Sequence, residues 1–272
     1  MRPYFGIFRI RLIAGMQYRA AAWAGVATQF FWGGMQLIIF FAFYESAGFN
    51  ASGSAAPMSF GQLTDFIWMR QAFIAMVMLW SMDNELLDMI AGGNVAYELT
   101  RPLSLYSFWF SRILAFRISR TALRCFPILI VAFLLPSPWG FHLPQNFGAF
   151  ALFIPSLILA ALLVTALSLF ICLLTFVSMS SYGARMFFGV VGEFLMGGVI
   201  PIPFMPPLLQ RITFMLPFRY TADFPFRVYS GHITGTEALA GLGMQVFWLL
   251  ALVGLGALGF RAAQKRLVIQ GG

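Results

Sequence analysis

The sequence predicts an all-α integral membrane protein with six transmembrane helices, and three observations carry the prediction. The chain is 60% hydrophobic and only 10% charged. Its mean hydropathy is +0.84. Its basic residues fall in clusters between long uncharged runs, not in one dense patch. A soluble domain carries about 25% charged residues, so a chain this poor in charge cannot cover itself in water. Hydrocarbon must be the solvent for much of it. The net charge of +8 then reads as membrane topology, and a nucleic-acid partner is rejected. Helices are the default because an open sheet cannot satisfy its backbone in lipid. The apolar runs are also too long and continuous for alternating barrel strands.

Residues 1–19 come first. Phe5, Phe8, Leu12 and Met16 share one helical face, with Arg2, Arg9 and Arg11 elsewhere, which fits a helix lying in the membrane interface; a frayed polar terminus is the alternative. The uncharged run from Ala20 to Tyr44 exceeds the roughly 7–15 apolar residues of a signal core, so no cleaved signal is expected. It suffices to cross a bilayer, which takes about 20 residues.

Six spans follow: Ala21–Phe43, Leu63–Met82, Ile113–Leu135, Phe150–Val177, Met186–Ile202 and Ala238–Phe260. The second carries Asp65 and Arg70, on different faces of the helix, and the fifth carries Glu193. The whole chain, 1–272, is expected to be one transmembrane domain. Four basic groups lie on one side of this arrangement: the N-terminal arginines, the set Arg101, Arg112, Arg117, Arg120 and Arg124, then Arg185, then Arg261, Lys265 and Arg266. That side is expected to be cytoplasmic, with both termini there. Arg211, Arg219 and Arg227 are the exception, in the stretch after span five. Residues 201–237 hold Pro201, Pro203, Pro206, Pro207, Pro217 and Pro225. Prolines this dense break a continuous helix. Short, partly re-entrant helices at the outer face are expected, with a plain proline-rich loop as the alternative.

Motifs exclude more than they assign. There is no GxxxxGK[ST] phosphate loop, no HExxH and no GxSxG, so the chain is not expected to bind and split ATP by the usual loop. Gly254, Gly256 and Gly259 form a formal GxGxxG inside span six, where small residues serve close helix packing. Asn50-Ala51-Ser52 matches a glycosylation triplet in an expected outer loop. Cys125 and Cys172 lie in apolar runs without metal spacing, so packing is their expected role. His142 and His232 lie in outer segments, with no acidic pair of metal spacing beside them in sequence. No catalytic, cofactor or metal residues are assigned.

Polar residues within the spans remain. Arg117, Arg120 and Arg124 have i, i+3, i+7 spacing and form one stripe. They either snorkel to headgroups or line a pathway or inner gate. Glu193 is an intramembrane carboxylate that pairs with one of those arginines or contacts substrate. Between spans two and three, residues 83–112 open with a short amphipathic helix. Leu86, Leu87 and Ile90 make its apolar face, Glu85 and Asp88 flank it, and Gly92-Gly93 end it. It is either a structured interfacial loop or a docking surface for a partner protein.

The acidic amphipathic turn followed by Gly92-Gly93-Asn94-Val95, Leu99 and Arg101-Pro102 resembles the first cytoplasmic loop of type-two ATP-binding-cassette (ABC) permeases. The ending Arg266-Leu267-Val268-Ile269-Gln270-Gly271-Gly272 is similar to that of an uncharacterised bacterial branch of them, and the proline-rich stretch resembles their outer re-entrant helices. The resemblance implies a plasma-membrane permease subunit of an ABC exporter. A second permease, identical or related, would complete the pathway, and separate ABC ATPase subunits would hold ATP-Mg. Glu85, Leu86, Leu87, Asp88, Ile90, Gly92, Gly93, Leu99, Arg101 and Pro102 would then form the ATPase-coupling loop. Cargo would be apolar or amphipathic. The rival classes are a membrane enzyme acting on lipid and an ion-coupled transporter.

Overall fold

The computed structural model describes residues 2–49, 56–100, 102–144, 146–178 and 180–265. The Asn50-Ala51-Ser52 triplet, Arg101 and the tail from Arg266 lie outside the described residues. Among the described residues the regular structure is helical throughout, without strands.

Helix α1 (Arg2–Gly15) leads into α2 (Arg19–Ser46). Then come α3 (Phe60–Val77), the short α4 (Asn84–Ala91) and α5 (Ala96–Leu99), α6 (Leu105–Leu134), α7 (Phe147–Ser178) and α8 (Ser181–Leu195). After a 3-10 turn the chain forms α9 (Pro207–Met215), a second 3-10 turn, α10 (Asp223–Tyr229) and α11 (Gly235–Gln264).

Helix α7 is the axis. It packs against α11, α10, α6, α8, α4 and α3. Its most apolar window is 61% buried, against 22% for those of α2 and α11, which therefore face outward. Ala160, Leu163, Val164, Ala166 and Leu169 form its fully buried stripe. Two of the three glycines expected to serve close packing in α11 do so. A Cβ on Gly256 would lie 2.8 Å from the Tyr106 ring and one on Gly259 2.5 Å from Leu173, whereas Gly254 meets nothing.

Among the described residues, α2, α7 and α11 are long and apolar enough to cross a membrane by length and composition. The helices at the other three expected spans differ from expectation. Helix α3 starts on a Ser59–Gln62 capping box and ends at Val77 instead of Met82. Helix α8 stops at Leu195 instead of Ile202, because Gly197 turns the chain at φ +78°. Helix α6 is continuous for 30 residues but carries four arginines in its first two-thirds.

The N-terminal helix splits the expected face, with Phe8 and Leu12 on the packed side and Phe5 and Met16 exposed. Tyr4, Gly6, Ile7, Phe8, Arg11, Leu12 and Gly15 are its less exposed residues, and the helix packs against α6. Phe5, Ile10 and Ile13 point outward.

The two ends of the bundle are distinct. The Tyr4 hydroxyl accepts from the Ser104 backbone N–H, and Phe260 packs edge-on against Trp109. Helix α1 and the last turns of α11 therefore meet the start of α6 at one end. At the other end, the backbone N–H of Phe141 donates to Ala132 O at 2.9 Å, and the Tyr44 hydroxyl donates to Met58 O at 2.6 Å.

Candidate functional site

The end of the bundle that holds both described termini also holds α4, and the sequence dictates how α4 is anchored. Asp83 precedes the periodic run, and its Oδ1 accepts from Leu86 N at 3.2 Å as the N-cap. Its Oδ2 accepts from Arg112 Nε at 2.7 Å. The opposite end closes as a Schellman motif. Gly93 N donates to Ile90 O at 3.2 Å and Asn94 N to Met89 O at 3.0 Å, with Gly93 at φ +74°. The glycine pair thus terminates the helix as expected.

Arg112 is the hub of this end. It is 2% exposed and reaches Asp83, Glu85 at 2.9 Å and Glu98 at 3.9 Å. Glu98 also accepts from the Trp109 indole N–H. Glu85 takes Arg11 at 2.9 Å, and Arg185 Nη1 donates to Asn84 Oδ1 at 2.9 Å. Helix α4 is thereby tied to α1, α6 and α8 by polar contacts. Among its apolar ties, Leu86, Leu87 and Ile90 are 0–1% exposed, where α4 packs on α7 and α8. The predicted apolar face is therefore turned inward. Exposed residues are Asn84, Glu85, Asp88, Gly92, Gly93 and Asn94, so a docking partner would meet this polar face. Leu99 packs partly buried against the core and Pro102 is exposed. Sequence reasoning missed Asp83, Glu98 and Arg112 as site residues. The signal for Asp83 was its N-cap position directly before the apolar run.

The arginine stripe divides. Arg117 is fully buried, and its Nη1 donates to the carbonyls of Met78 at 2.8 Å, Met76 at 3.1 Å and Ala75 at 3.4 Å. Its Nη2 donates to Ser168 Oγ at 2.7 Å. It satisfies the bare carbonyls at the end of α3. Arg120 and Arg124 instead face a cleft between α1, α2 and α6. Glu193 meets none of the three. A Cβ on Gly198 would lie 2.8 Å from Glu193 Cγ and 3.5 Å from Arg70 Nη1, so its cationic neighbour is Arg70. Arg70 donates to Gln36 Oε1, which also accepts from Gln71 Nε2 at 3.2 Å.

The opposite end carries a second polar network. Asp65 Oδ1 accepts from the His142 backbone N at 2.8 Å and lies 3.1 Å from its Nδ1, so an acid does sit beside His142 although none neighbours it in sequence. Arg227 pairs with Asp223 at 3.1 Å and donates to His232 Nδ1. Arg219 lies over the Phe214 ring at 4.0 Å. Two of the three arginines that departed from the charge rule are therefore buried within the fold.

Apolar helices of this length, with charges held inside or at one end, define a helical membrane protein. Residues 30–271 match the family described as ABC-2 family transporter protein, and the chain belongs to that family. Comparison with curated proteins and with solved structures gave no match.

Proposed function

We propose that the chain is the membrane-spanning permease subunit of an ATP-driven ABC exporter. The observation that carries the reading is α4. It is a two-turn helix locked into the bundle by Asp83, Arg112, Leu86, Leu87 and Ile90, with a polar face outward. A helix held this way transmits force to α6, α7 and α8 as a rigid lever. ATP-Mg would sit on separate ABC ATPase subunits, in keeping with a sequence that has no phosphate loop. A second permease, a homo- or heterodimer partner, would supply the other half of the pathway.

Six crossings fit this reading. Helices α3 and α6 add to the three apolar spans because Arg70 and Arg117 are satisfied inside the protein. Helix α8 and the turn after it make the remaining crossing, and α9 and α10 dip into the outer face as re-entrant helices. Both termini and α4 then lie on the cytoplasmic side of the plasma membrane, with the basic residues. The cargo is apolar or amphipathic.

Co-purification tests the reading. The detergent-extracted full chain should bring an ATPase with it, and Asp88→Arg with Asn94→Arg on the exposed face should release that ATPase while the permease keeps its melting temperature. A chain that transports alone would contradict it. Leu87→Asp is a poor probe, because that side chain is 1% exposed and its loss would disturb the fold itself.

A further inference from the structure

A cleft of about 320 Å³ opens between α1, α2 and the first two-thirds of α6, near the lower bound of about 300 Å³ for small-molecule sites. Arg11, Arg112, Arg120 and Arg124 face it, against only Asp83 and Glu85. Arg11 and Arg112 are already paired with those two carboxylates. Among the described residues, no ion pair engages Arg120 or Arg124. Arg120 lies over the Phe116 ring at 4.1 Å, and Arg124 donates to Ala21 O at 3.4 Å. Most of their N–H donors therefore have no acceptor among the described residues.

The neighbouring backbone is shaped around these side chains. A Cβ on Gly25 would lie 2.5 Å from Arg124 Cζ, and one on Gly15 would lie 2.2 Å from Ser119 Oγ. Glycine at position 15 lets Ser119 lie close against α1, and glycine at position 25 leaves room for the end of the Arg124 side chain against α2. Helix α1 turns Phe5, Ile10 and Ile13 outward, the profile of a helix seated among lipids at the headgroup level.

We propose that this cleft binds the phosphate of an anionic membrane lipid, with Arg120 and Arg124 as the charged contacts and Phe116 and Tyr18 as its walls. Two guanidinium forks match phosphate oxygens in geometry and charge. The outward apolar face of α1 places the site where lipid phosphates lie, which favours a lipid over a soluble phosphate ester. The proposal goes beyond the exporter reading and does not require it, since it concerns the chain without an ATPase.

The test uses the full chain purified in detergent, with thermal unfolding and native mass spectrometry as readouts. Phosphatidylglycerol in mixed micelles should raise the melting midpoint saturably, by about 2 °C or more, and remain bound in the spectrum. Phosphatidylcholine should do neither. Arg120→Gln with Arg124→Gln should abolish both effects. Gly25→Ala, which displaces only the flexible end of Arg124, should weaken them. Arg9→Gln, an exposed charge on α1 outside the cleft, should leave them intact. An equal shift in the double variant, or none in the wild type, overturns the site. The same arginine-dependent shift with glycerol 3-phosphate alone overturns its assignment to a lipid.

Discussion

Arg117 occupies the place where a helix ending inside the bundle would leave its last carbonyls bare. Its guanidinium reaches three of them and Ser168, and no carboxylate pairs with it among the described residues. Arg117→Met keeps the apolar stem and loses the donors. Each acceptor left buried without a partner costs about 1–3 kcal/mol, so the variant should melt several degrees lower in a detergent thermal scan. A pathway role without a structural one would predict an unchanged melt. Arg112 makes the matching case at α4. Removing one partner of a buried ion pair costs about 3–5 kcal/mol, so Asp83→Ala should lower the midpoint as well.

His232 offers a pH readout at the other end. Its Nδ1 accepts from Arg227, so Nε2 carries the proton and donates to Pro57 O at 2.9 Å. Burial first, and then the Arg227 charge, hold this imidazole below its ordinary 6.5, against the opposing pull of the Pro57 bond and of Asp223 and Glu237. The unfolded chain therefore takes up the proton first on acidification. The associated stability is fully present above 6.5 and is lost as pH falls below it. Melts at about pH 7.5 and about pH 5 should show a drop that His232→Gln reduces. Equal slopes in the two proteins would contradict the assignment.

At the scale of elements, α10 shows why the proline-rich stretch was only partly legible. The prolines announced a broken segment, and the structure breaks it into two short helices and two 3-10 turns. What sequence could not reveal is that α10 is buried from Asp223 to Tyr229 against α7 and α3. That position depends on a distant glycine. A Cβ on Gly241 of α11 would lie 2.0 Å from the Phe224 ring. Gly241→Ala should therefore cost about 1–3 kcal/mol through overpacking, seen as a lower melting midpoint, while Gly243→Ala, which meets nothing, should be tolerated. The short α4 was legible in both pattern and end signal, because an amphipathic turn closed by glycines has a local cause. Its orientation was not. Which face turns inward depends on α7 and α8, distant in sequence; the Arg185 contact of α8 to Asn84 spans 101 residues. The arginine stripe misled for the same reason. Helical spacing puts Arg117, Arg120 and Arg124 on one side of α6, but α3 buries the first while α1 and α2 leave an open cleft beside the others.

At the scale of the molecule, composition alone fixed the class, since 10% charge in a 272-residue chain leaves no aqueous surface to build. The family resemblance rested on the first cytoplasmic loop, the ending and the proline-rich stretch, and the match over residues 30–271 agrees with it. The structure adds a division of labour between the two ends of the bundle. One end gathers α1, α4, the start of α6 and the last turns of α11, with Arg11, Arg112 and Arg185; the other carries the Phe141–Tyr229 stack and the two histidine networks. On this account the chain is a lever and a pathway without an engine. The most direct test is to purify the full chain from cells that natively express it and measure ATP turnover with and without what accompanies it. The account predicts turnover only in the fraction that retains an ABC ATPase, and its loss when Asp88→Arg with Asn94→Arg strips that subunit away. ATP turnover by the chain alone, or a chain that never retains an ATPase, would contradict it.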